Sequence, residues 1–205
     1  MNALEDTVCS RYPIVVLFAI LFLPSCALTP QTVHLNPKVQ STTAPRVAAG
    51  QLISLVVIDL RPSEVLGNRG LSGTPYGGAN VSTSGDTVQI VQTVVADALA
   101  ARGFSVTPTA RKVPGNQLRV EITNLQYAVV PGIITGTLRS EASLHAECLR
   151  DQVLQYDRVH RGVSEEQVFF FQFATENEAH INTAFSSAIT EMLNDTDLLS
   201  CLSGQ

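Results

Sequence analysis

Catalysis by a nucleophile needs a serine or cysteine beside a base and an oxyanion donor, and the 205-residue chain offers no such grouping. No serine lies in a G-x-S-x-G turn, and Cys148 has no histidine on its own face of the strand that carries it. Acids adjoin at Glu165-Glu166 and recur at Glu176 and Glu178, positions that suit surface charge or helix capping. C-x-x-C and H-E-x-x-H are both absent and the four histidines are scattered, so no metal site and no cofactor are expected. His160 and Arg161 read as the wet face of a strand. The glycine-rich loop 67–78 is followed by no Gly-Lys-Ser/Thr and holds no G-x-G-x-x-G, so it is not a phosphate cradle. The expectation is a protein that is not an enzyme. What remains is the thiol of Cys26, a pair of cysteines at 148 and 201, and three side chains suited to strong contacts near the loop: Arg61, Arg69 and Tyr76.

Cys26 closes the run Ile14 to Cys26, IVVLFAILFLPSC. Crossing a bilayer takes about 20 apolar residues; Ile14 to Leu23 is about half that, the length of a signal-peptide core. Leu23-Pro24-Ser25-Cys26 resembles the bacterial lipobox, an aliphatic residue and two small ones before the cysteine that is acylated and begins the mature chain, although Pro24 departs from the usual small residue. A triacylated cysteine holds far more firmly than one chain, since each buried CH₂ contributes about 0.8 kcal/mol. Ordinary cleavage after Ser25-Cys26-Ala27 and a buried amino-terminal helix are the rival readings. Glu5 and Asp6 are unusual for a segment that ordinarily begins positively charged, and a translation start near Val8 would leave Arg11 directly before the apolar core. Ala27 stands where aspartate commonly causes inner-membrane retention, which favours the outer membrane.

The formal net charge is −5, without the basic stripe that nucleic-acid binding requires. No polybasic cluster adjoins Cys26, so attachment to the membrane rests on acyl chains. Residues 1–25 thus read as a signal peptide, 26–50 as a lipidated flexible tether with Val33-His34-Leu35 as a brief extended contact, and 51–205 as a single periplasmic domain. With Cys9 removed and Cys26 acylated, Cys148 and Cys201 are left to pair in an oxidising compartment, or to remain buried as thiols.

The elements follow from periodicity. Gln51 to Leu60 is a buried strand, and 61–85 a glycine-rich excursion in which Ala79 to Thr83 returns to the sheet. Asp86 caps a helix to Arg102, with Val91, Val94, Val95, Ala98 and Leu99 on its inner stripe and Gly103 as the left-handed residue beyond it. Gln117 to Val130 alternates and slips phase near Asn124, where a bulge is expected. Ile134 to Cys148 alternates most cleanly, placing His145 outside and Cys148 inside. A turn near Asp151 precedes further strand to Phe173, whose phenylalanines read as core. Thr175 with Glu178 makes a capping box for a last helix to Leu193, and the tail folds back to place Cys201 near the sheet. The expected fold is α+β: a mostly antiparallel sheet of about five strands with two amphipathic helices packed on one face.

A lipobox, a strand ending Asp59-Leu60-Arg61 with Gly67-Asn68-Arg69-Gly70 beyond it, Leu99 to Phe104 closing a helix, and Ala174-Thr175-Glu176-Asn177-Glu178-Ala179 opening another together resemble the YajG-like lipoproteins of Gram-negative bacteria. The resemblance implies an outer-membrane lipoprotein with an α+β domain and carries over Cys26 as its acylated residue. Contact with an envelope protein or peptidoglycan is the leading functional expectation. A glycan or small-molecule binding module using loop 67–78, with Arg61, Arg69 and Tyr76, is the alternative.

Overall fold

The computed structural model describes residues 29–39, 50–69, 78–109, 115–130, 135–168 and 174–204. Cys26, Tyr76 and the phenylalanines 169–171 and 173 lie outside them. In chain order the elements are β1 (Gln31–His34), β2 (Leu52–Asp59), β3 (Val65–Arg69), β4 (Ala79–Ser84), α1 (Thr87–Ala101), β5 (Ser105–Pro108), β6 (Asn116–Val130), β7 (Gly136–Arg150), β8 (Val153–Val168), α2 (Ala174–Asn194) and α3 (Thr196–Ser203).

The long strands β6, β7 and β8 form the frame. They pair antiparallel, and β6 serves two neighbours on its other edge: β2 lies parallel along Asn116 to Ile122, and β3 meets it at Tyr127. Beyond β2 lies β5; beyond β3 lie β4 and then β1. The α+β class holds, but among the described residues the sheet has eight strands where about five were expected. It is mixed, and four of its seven pairings (β1–β4, β2–β5, β2–β6 and β3–β6) are parallel, so the expected antiparallel dominance is corrected. The reason lies in β1 and β3, strands of four and five residues too short to show a period; the short strand expected to start at Phe104 to Val106 is β5.

One face of the sheet is apolar: Ile53, Leu55, Leu118, Val120, Ile122, Leu138, Ala142, Leu144 and Ala146 are fully buried. Among the described residues three helices rather than two pack against it, because the tail after Asp195 is itself helical. Helix α1 is built as its residues dictate. The Asp86 side chain accepts from the Gln89 N–H, Val91, Val95 and Leu99 face inward, and Gly103 follows at φ 98°. Arg102 then donates to the Leu193 carbonyl and to Asn194 Oδ1, joining the ends of α1 and α2. The bulge expected near Asn124 lies between Ile122 and Asn124, and the β7–β8 turn is made by Asp151 and Gln152, both at positive φ.

Two segments differ from their expected roles. Part of 26–50, read as tether, is bound into the domain: β1 is an edge strand parallel to β4, with Val33 and Leu35 buried. Backbone N–H groups of His34, Asn36 and Lys38 donate in turn to Glu178, Asn182 and Ser186 along α2. Glu178, expected to complete a capping box with Thr175, accepts from β1 instead. Within the glycine-rich excursion, 65–69 forms β3. Gly67 lets it cross β6, because a Cβ there would stand 1.8 Å from the Tyr127 carbonyl oxygen.

Candidate functional site

The face of the sheet away from the helices carries the charge. Alternation in β6 and β7 turns Arg119, Glu121, His145 and Glu147 outward, and β8 adds Asp157 and the exposed valines Val159 and Val163. Register makes direct cross-strand neighbours of Arg119 and Glu147, Glu121 and His145, and Glu147 and Asp157, the spacing at which side chains on one face interact. Arg119 pairs with Glu121 at 2.5 Å and with Glu147 at 3.2 Å. The His145 ring is held at both ends, Nδ1 2.9 Å from Glu121 and Nε2 2.6 Å from Asp157. Those two hydrogen bonds, Glu121's first, hold its pKa above the ordinary value against the opposing effect of burial. Glu121 is 8% exposed although it stands on this face, covered by the arginine and the imidazole.

A second polar cluster lies on the helix side. Tyr156 Oη, 2.8 Å from His160 Nε2, donates to Asp195 at 2.8 Å, and Arg158 reaches Asp195 and Asp197. His160 is 3% exposed, contrary to the wet-face expectation, and its Nδ1 lies 3.8 Å from Glu191 with no hydrogen bond. Burial lowers its pKa and raises that of Tyr156, while around Asp195 donated hydrogen bonds overcome burial and lower the carboxyl. This cluster joins β8 to the start of α3. Cys148 and Cys201 form a disulfide in the same region, 6.5 Å between Cα atoms.

Of the contact residues expected beside the loop, Arg61 is already committed. Its guanidinium holds Asp59 bidentately, at 2.9 Å and 2.6 Å, and reaches Thr87 at 3.0 Å, with 4% of the side chain exposed. Burial would raise the Asp59 pKa, and the bonds from Arg61 bring it below its ordinary value. Arg69 ends β3; its side chain and all of Tyr76 lie outside the described residues. Of the three, the structure describes the surroundings of Arg61 alone. The charged lattice around His145 is what sequence reading missed. The alternation of β7 placed His145 outside, but its partners stand 24 and 12 residues away and only strand register brings them together.

Among solved structures, protein XCC0632 from Xanthomonas campestris, of the DUF330 family, superposes with a TM-score of 0.61 at 14% identity, over 85% of this chain and 98% of its own. A minor lipoprotein from Acinetobacter baumannii gives 0.43 at 14% identity, over 77% and 93%. The first of these shows a shared fold. No curated protein matches in sequence. No described helix is long and apolar enough to cross a membrane. The profile of the Lipoprotein_16 family, described as uncharacterized lipoprotein, matches residues 37–203, nearly the whole domain including β2 to α3, and the chain belongs to that family of bacterial lipoproteins.

Proposed function

We propose that the protein is acylated on Cys26, stands on the periplasmic side of the outer membrane, and acts there through contact with an envelope protein or the cell wall rather than by catalysis. The observation that carries this reading is where β1 begins. Gln31 is buried and bound into the domain, and five residues of chain reach at most about 18 Å. Acylation at Cys26 thus holds the domain against the bilayer instead of letting it stand off on a long tether. The lipobox, Ala27 and the YajG-like motifs support the outer membrane as the site of attachment. The open face supports contact: Val159 and Val163 are about half exposed beside the charged lattice, and β8 is an edge strand paired only to β7 among the described strands, a form that takes added strands or partner surfaces. The glycan-binding alternative is weakened by the commitment of Arg61 to Asp59 and Thr87.

Cys26→Ala tests the address. The variant is expected to lose its fatty-acid label and leave the outer-membrane fraction; unchanged fractionation of an unlabelled native protein would overturn the reading. A photo-crosslinker at Val163 in intact cells is expected to give a protein or cell-wall adduct, and no adduct from that face would remove it as the contact surface.

A further inference from the structure

We propose that the open face holds a divalent transition-metal site, of the kind zinc occupies, with His145, Glu147 and Asp157 as ligands and Glu121 orienting the imidazole. The inference is independent of the lipid anchor. One ligand atom from each of the three residues lies within 4.8 Å of the others. A tetrahedral ion bound at about 2.1 Å needs ligand atoms about 3.4 Å apart, so on binding the Asp157 carboxylate, 2.6 Å from Nε2, would turn away from the ring and Glu147 toward it. An imidazole nitrogen with two carboxylates and an open position is a donor set suited to such ions.

Two features beyond proximity support the assignment. Glu121 lies 2.9 Å from Nδ1, and Nε2 faces Asp157 Oδ1 at 2.6 Å, a hydrogen-bonded contact that an ion would replace once the Asp157 side chain turns to leave room for it. The bond from a carboxylate to the far ring nitrogen is also the arrangement that fixes the tautomer and raises basicity in metal-bound histidines. The second feature is charge. Glu121, Glu147 and Asp157 carry three negative charges and Arg119, paired with two of them, carries one positive, so with the imidazole neutral, as a ligand must be, a divalent ion meets a net negative cluster. Asp157 is half exposed on the outermost long strand, so an ion can enter from solvent.

The site is tested by calorimetric titration of the mature chain, in detergent and freed of metal, with ZnCl₂ at pH 7.5. One zinc per chain is expected from this site, and Asp157→Asn should weaken the association constant at least tenfold. Glu121→Gln, which touches no metal, should weaken it about 10–100-fold by releasing the ring. Should His145→Ala fail to fold, Asp157→Asn still decides, since its side chain is exposed on an edge strand and the substitution preserves shape. Zinc binding equal in wild type, Asp157→Asn and Glu121→Gln would overturn the proposal, as would no binding by wild type. CaCl₂ or MgCl₂ bound as tightly as zinc, with the same sensitivity to Asp157→Asn, would also overturn it, because these ions do not call on imidazole.

Discussion

At the scale of single residues, Gly162 and His160 decide how α2 lies on β8. A Cβ on Gly162 would stand 1.9 Å from the Ala184 carbonyl and 2.5 Å from the Ala188 nitrogen, both helix backbone that cannot turn aside. Gly162→Ala must lift the helix, and about 3 kcal/mol of stability should be lost; urea unfolding measures it, and an unchanged midpoint would mean the helix does not sit this close. His160 tests the same contact by pH. Its neighbours are Tyr156 and Arg158 on its own strand, Glu191 on α2 and Asp195 before α3. Because burial lowers the folded pKa, the folded chain binds fewer protons there than the unfolded one. The stabilising contribution is therefore full above the unfolded value of about 6.5 and is lost as pH falls below it. Between pH 7.5 and 5 the wild type should lose more stability than His160→Gln, a comparison in which His145 cancels. Equal slopes would contradict a buried neutral His160. These two positions were illegible in the sequence for one reason: β8 points Tyr156, His160 and Gly162 inward and Val159 and Val163 outward, so its apolar residues mark the wet side.

At the scale of elements, what could be read was whatever carried a long period or a cap. Strands β6 and β7, the bulge near Asn124, the Asp86 cap and the stripe Ile181, Ala184, Phe185, Ala188, Ile189, Met192 and Leu193 all stand as their residues suggest. Strand β3 could not be read, and β1 only as the brief extended contact at Val33 to Leu35, because four or five residues rich in polar side chains acquire strand character only from a partner distant in sequence. For β1 that partner is in part Asn177, fully buried, which donates to Gln31 Oε1 at 2.8 Å and accepts from Tyr127 Oη at 2.9 Å. Asn177→Ala should cost about 2 kcal/mol and raise amide exchange at Val33 and Leu35 more than at Val120. Uniform exchange would show that β1 does not depend on this residue. The last helix is fixed differently, by a disulfide. Cys148 and Cys201 close a loop across 53 positions, for which chain entropy gives about 4 kcal/mol. Thermal melts with and without reductant should show that loss in wild type and none in a Cys148→Ala/Cys201→Ala pair.

At the scale of the whole molecule, the decisive fact is that the Gln31 end of the domain and the charged lattice are separated along β6. Gln31 lies against Asn177, which meets Tyr127; the Arg119–Glu121 end of the lattice is six to eight residues further along the same strand, about 20–26 Å at 3.3 Å per residue. An anchor at Cys26 with at most about 18 Å of chain would set the Gln31 end on the bilayer and leave the lattice and the β7–β8 turn facing away from it, where a soluble ion or an envelope partner can reach them. This orientation is measurable. A fluorophore at Thr32, exposed on β1, should be quenched by a lipid-bound quencher in reconstituted vesicles, and one at Gln152, exposed in the β7–β8 turn, should not. Inserting about twenty glycine and serine residues between Ala27 and Leu28 adds a coil of about 25 Å root-mean-square length and should abolish the contrast by freeing the domain to turn. Equal quenching at Thr32 and Gln152 without the insertion would mean that the short connection does not orient the domain, whatever becomes of the cysteine.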